Sequence, residues 1–173
     1  MVGMRKNILY ITLVISFVII GVFTVLATLT NTKLSVSSVI DKKLKVGDTF
    51  TVDVTVNEVI DLKGYEYRLK YDTNILDATS VVSSNFLSSS MYCVRNTIDE
   101  AEGIIWVACM MPLGPGEGVS GSGTLETITF QVLDKGDSNL DLYKTVLGDH
   151  TGASIPHSVE DGIFQNHPEK SSR

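Results

Sequence analysis

Between residues 49 and 56 the chain alternates, with Val52, Val54 and Val56 apolar against Thr51, Asp53 and Thr55. The same period of two returns in Tyr65, Tyr67, Leu69 and Tyr71, which oppose Glu66, Arg68 and Lys70. Successive side chains of an extended strand point to opposite faces, so each pattern predicts a strand with its apolar set in a core. A one-residue slip would reverse a whole strand, and each aromatic or branched side chain moved out of the core would cost about 1.5–3 kcal/mol. Applied along the chain, these signals predict strands at 34–39, 49–56, 64–71, 75–82, 91–97, 104–111, 125–133, 139–145 and 162–165, with turns at 61–64, 99–103 and 134–137. No segment after residue 30 sustains the 3.6-residue period of an amphipathic helix. The expected fold is therefore all-β, a nine-stranded antiparallel β-sandwich with jelly-roll topology.

Two stretches depart from simple alternation. Residues 104–111, IIWVACMM, are apolar throughout, although a strand of a two-sheet sandwich has only one face in the core. Something must cover the other face, either a loop such as the glycine-rich segment or a partner protein, because an exposed apolar patch commonly marks an interaction site. The second stretch is GVSGSGTLETITFQVL at 118–133, where five glycines between Gly114 and Gly123 run into an alternating strand. This predicts a wide, flexible glycine loop that becomes ordered near Leu125.

Near the N-terminus, Arg5 and Lys6 precede 22 uncharged residues, Ile8 to Leu29. As a helix they would reach about 33 Å at about 1.5 Å per residue, enough to cross a hydrocarbon core of about 30 Å. The apolar stretch is longer than the core of a cleavable signal, and small residues around Ala27 make only a weak cleavage site. The expectation is an uncleaved transmembrane anchor over residues 1–32, with a cytoplasmic N-terminus and an extracellular domain at 33–166, followed by a disordered tail at 167–173. Cleavage would instead secrete the domain.

All 20 acidic residues, and all 14 basic ones except Arg5 and Lys6, follow the apolar span, so the exported part has a formal charge of −8. No cluster of Lys and Arg is present to bind a phosphate backbone, which excludes nucleic acid as a partner. Cys93 and Cys109 fall on two strands flanking the turn at 99–103. In a hairpin centred on Ala101 they lie directly opposite, and an exported pair of cysteines usually oxidises. The alternative is two buried free thiols, because the same register turns the charged Arg95 toward the cysteine face.

Asp99, Glu100 and Glu102 crowd one turn, but a calcium site needs about six to eight oxygens at fixed spacing, and a solvated turn is the simpler reading. His150, His157 and His167 lie in loops without an evident nucleophile, and no hydrolase or metal motif is present. The chain offers no catalytic residues, no metal site and no cofactor site. Trp106 and Tyr92 raise a carbohydrate-binding reading, although a sugar platform generally needs several aligned rings.

The segments KVGDTFTVDVTV at 45–56, LKGYEYRLKYDTNILDATSV at 62–81, the glycine-led strand at 118–133 and SIPHSVEDGIF at 154–164 resemble, in order, the landmarks of cohesins. Cohesins are modules that capture dockerins. The resemblance implies a non-catalytic surface module holding a dockerin-bearing protein such as a carbohydrate-active enzyme, with the calcium carried by the partner. The alternative is a carbohydrate-binding or adhesive sandwich that meets polysaccharide directly. By the same resemblance the partner-binding face comprises Gly64, Glu66, Arg68, Tyr92, Val94, Trp106, Ala108, Met110 and Met111. Glu66 takes the family's acidic position ahead of Tyr71 and Asp72. Gly64 stands where a hydrogen-bonding side chain is usual, and Met111 where an acidic one is, which implies a more apolar contact.

Overall fold

A computed structural model describes residues 32–112 and 116–167. The expected membrane span and nearly all of the expected tail lie outside these residues. Eleven strands are present: β1 (Lys33–Val36), β2 (Val39–Ile40), β3 (Thr49–Leu62), β4 (Gly64–Lys70), β5 (Leu76–Ser83), β6 (Tyr92–Asp99), β7 (Ile104–Met110), β8 (Val119–Val132), β9 (Asp137–Gly148), β10 (Ser158–Glu160) and β11 (Gly162–Gln165). They form a sandwich of a five-stranded sheet, ordered β10-β1-β3-β8-β5, and a six-stranded sheet, ordered β2-β11-β9-β4-β7-β6.

Two of the eleven strands are too short to show a period, which is why nine were expected. The expected strand 34–39 is in fact divided, with β1 in one sheet and β2 in the other. The chain changes sheets at Ser37 and Ser38, whose hydroxyls accept the Asp53 and Ile163 amides and so satisfy backbone groups at the corner. The C-terminal strand changes sheets alongside it, and there Asp161 accepts the Leu142 amide. Consequently β1 pairs parallel with β10, and β2 with β11, so the sandwich is not wholly antiparallel.

The expected glycine loop is also corrected, since Gly121 and Gly123 lie within β8 and pair with Val59 and Val56 of β3. Bulges interrupt this ribbon, and β3 turns through positive φ at Glu58 and Asp61. Where the regular ladder fails, Ser122 and Ser120 accept the Glu58 and Asp61 amides. Composition suggested flexibility because the glycines carry no side chains. A regular backbone partner and two serines make the segment a strand instead.

The alternating sets lie where their period places them. Val52, Val54, Val56, Tyr65, Tyr67, Leu69 and Tyr71 are buried between the sheets together with Leu125, Ile128, Phe130 and Val132. Phe50 stacks between Phe130 and Phe164, at centroid distances of 5.7 Å and 4.7 Å. Glu126 keeps the inward phase of Ile128, Phe130 and Val132 and is fully buried, and a bulge opposite Val54 and Thr55 turns Leu125 inward beside it.

A tryptophan-centred face on the six-stranded sheet

The outward face of β4, β7 and β6 is fixed by its register. Gly64, Met110 and Tyr92 form one row across the three strands, Glu66, Ala108 and Arg95 the next, and Arg68, Trp106 and Thr97 a third. Ile105, Val107 and Cys109 point the other way and are buried, so the apolar run of β7 splits into a core set and an outward set of Ile104, Trp106, Ala108 and Met110. The part of the glycine-rich segment that forms β8, from Val119 onward, belongs to the other sheet.

Trp106 organises the face. Its indole N–H donates to Glu66 Oε1 at 2.8 Å, which fixes the ring against β4. The guanidinium groups of Arg68 and Arg95 lie 4.1 Å and 4.8 Å from the ring centroid, a cation–π arrangement on an already oriented ring. Ala108 is only 8% exposed and stands outside the contiguous core cluster, so the flanking side chains of this outward face shield it. At Gly64 an added Cβ would stand 3.2 Å from Met110 Cβ, and the missing side chain lets Met110 lie close.

Of the residues expected on this face, Gly64, Glu66, Arg68, Tyr92, Trp106, Ala108 and Met110 are brought together. Val94 projects from a bulge and is 63% exposed. Met111 is not on the face: it follows β7, donates its amide to the Lys63 carbonyl and packs against the core. Two neighbours escaped sequence reasoning. Arg95 reaches the outer face because the bulge at Val94 inserts one residue into β6 and reverses the alternation that had aimed it inward. Val146, exposed beside Glu66, belongs to the part of β9 beyond Lys144, whose positive φ marks another break in alternation. In β6 the signal was the conflict between Arg95 and the cysteine face.

Cys93 and Cys109 are opposed and joined by a disulfide on the inner side of the β6–β7 pair. Beneath it lies Glu126. Its Oε1 accepts the Tyr65 hydroxyl at 2.5 Å and lies 4.0 Å from Cys109 Sγ, while Oε2 is buried without a hydrogen-bond partner. Burial pushes this carboxyl up to about 7, opposed in part by hydrogen bonds from tyrosine and serine hydroxyls. An unpartnered buried oxygen is what a protonated, neutral acid tolerates best.

The acidic turn is structural: Asp99 accepts the Glu102 amide, and Glu100 and Glu102 are exposed. Among the described residues no group of three or more His, Cys, Asp or Glu side chains is placed to hold a metal ion. His150 pairs with Asp61 and His167 with Asp137, while His157 bonds the Ile155 carbonyl and the Thr145 hydroxyl.

The Cohesin domain family model matches residues 32–163. Among solved structures, CaCohA2 from Clostridium acetobutylicum superposes with a TM-score of 0.64 at 21% identity, covering 81% of this chain and 93% of that one. A non-cellulosomal cohesin from the archaeon Archaeoglobus fulgidus gives 0.62 at 20% identity, over 78% and 89%. The Coh-OlpA–Doc918 cohesin–dockerin complex of Clostridium thermocellum gives 0.65 at 17% identity, over 78% and 98%. No curated protein matches the chain by sequence.

Proposed function

Because this chain belongs to the cohesin domain family, we propose that it is a non-catalytic binding module whose β4–β7–β6 face captures a dockerin-bearing protein. The observation that carries this reading is the outward half of β7. Ile104, Trp106, Ala108 and Met110 form an apolar stripe on the outward side of the sheet, partly shielded by their neighbours, with Tyr92 and Val94 exposed beside it. Relatives of the same fold form complexes with dockerins. In our reading the calcium belongs to the partner, and residues 8–29 keep the module at the cell membrane with its N-terminus in the cytoplasm. Cleavage after that segment would release the module. A carbohydrate-active enzyme is the partner we favour. Direct polysaccharide binding is the weaker reading, because the Trp106 ring is stacked with guanidinium groups and does not lie bare for a sugar.

Titration calorimetry of the full chain with dockerin modules tests the proposal, using Ala108→Arg as the variant. A bulky charge at the centre of a desolvated contact typically costs several kcal/mol of binding. Ala108 is only 8% exposed, so its variant is read beside Tyr92→Arg, at a side chain 44% exposed in the row of Met110, which should melt within a few degrees of the parent while its affinity collapses. Unchanged affinity in a folded variant would place the partner surface elsewhere.

A further inference from the structure

Arg68 and Arg95 form a concentrated positive spot on an otherwise acidic molecule. Both guanidinium groups lie against the Trp106 ring, Arg68 reaching it from β4 and Arg95 from β6, the strands on either side of β7. Neither has a carboxylate within ion-pair reach among the described residues. Glu66, the nearest acid on the face, uses Oε1 to accept the Trp106 N–H, and Lys70 is turned to the Glu102 carbonyl. The buried Nε of Arg68 has no acceptor either. Arg95 is outward only because of the bulge at Val94, and bulges of this kind re-aim side chains next to functional sites.

We propose that the partner of this face carries an acidic side chain that docks against Arg68 and Arg95 beside Trp106, so that the contact is centred on a carboxylate-bearing protein surface. This rests on the dockerin-binding reading and specifies its chemistry. A guanidinium stacked on an aromatic ring keeps its edge N–H groups free, and that planar fork matches a carboxylate in a bidentate geometry. Two like charges gathered at one ring raise the local positive potential, and an anion docked beside the ring lowers it. Tryptophan and arginine are also the residue types that most often dominate binding energy at interfaces. The contrast with the chain's net charge of −6 gives the spot a second role: an acidic partner is repelled elsewhere and guided to one place.

The test uses a yeast-displayed dockerin library, randomised on its exposed helical surface and selected against the full chain. Binding is read through Trp106, the only tryptophan of the chain. Selected dockerins should be enriched in Asp and Glu over the starting pool. Their affinity should fall at least 30-fold for the Arg68→Gln, Arg95→Gln double variant, and should weaken as sodium chloride is raised for the parent but much less for that variant. Should the double variant fold poorly, charge exchange supplies the evidence. Arg95→Glu should lose at least tenfold in affinity and regain it against a dockerin in which the contacting acid is replaced by arginine. Dockerins that are recovered without acidic enrichment and bind the parent and double variant equally would overturn the acidic-partner proposal while leaving dockerin capture intact. If no dockerin is recovered that perturbs Trp106, the dockerin reading itself fails, and this inference with it.

Discussion

Glu126 is fully buried beneath the Cys93–Cys109 disulfide, with the Tyr65 hydroxyl on one oxygen and nothing on the other. In the unfolded chain its carboxyl releases its proton near the ordinary value of 4.5, whereas in the folded protein burial raises that value to about 7. Between those values the folded protein holds a proton that the unfolded chain has given up. Stability should therefore decline as pH rises from about 4.5 to about 7 and level off above, by at most about 3 kcal/mol for this group. Urea unfolding at pH 5 and pH 8 checks this, with Glu126→Gln as the comparison. The exposed His150–Asp61 pair titrates in both proteins, so the difference between them isolates Glu126. An equal pH response in the two would mean that Glu126 stays ionised throughout. Only its phase marked this residue in the sequence, since Glu126 alternates with Ile128, Phe130 and Val132. An acid is not expected at a core position, and Leu125 beside it reads as the inward residue, which it becomes only through a bulge in the β3–β8 pairing.

At the scale of elements, the disulfide ties β6 to β7 at the border of the candidate face. It closes a loop with a sequence separation of 16, for which the chain-entropy model gives about 3 kcal/mol. Adding dithiothreitol to the full chain, or substituting both cysteines by serine, should lower the urea midpoint by a corresponding amount. Non-reducing mass spectrometry should find the two thiols unavailable for alkylation in protein exported through an oxidising compartment. Identical midpoints with and without reductant would show the bond to be energetically idle. The cross-strand pairing was read from a centre at Ala101, which Tyr92–Met110 and Cys93–Cys109 share, although the turn itself pairs Asp99 with Ile104 and the cysteines meet only because the bulge at Val94 offsets the ladder by one. From Arg95 onward the register shifts by one, and a bulge has no periodic signature of its own. The glycine-rich segment was misread for a related reason. A strand whose order comes from its partner shows little of that order in its own composition, and β2 and β10 are too short to show any.

For the whole molecule, the two outer surfaces of the sandwich differ in kind. The five-stranded sheet presents Thr51, Asp53, Thr55, Thr127 and Thr129, polar groups that bond one another, as Thr127 does with Asp53 and Ser35 with Thr55. The six-stranded sheet presents Trp106, Ala108, Met110, Tyr92 and two arginines that lack acidic partners among the described residues. The sandwich and its core could be read from alternation alone, and the apolar run at 104–111 already required a cover on its outer side. That Arg95 and Val146 join this face while Met111 leaves it depends on bulges and strand ends, which only the assembled sheet defines. Hydrogen–deuterium exchange of the full chain, with and without a saturating dockerin, tests the central claim most directly. The account predicts new protection confined to β4, β6 and β7 and the adjoining end of β9, with β1, β3, β5 and β8 unchanged. Protection on the threonine-rich sheet, with the Trp106 face left exchanging as before, would contradict it.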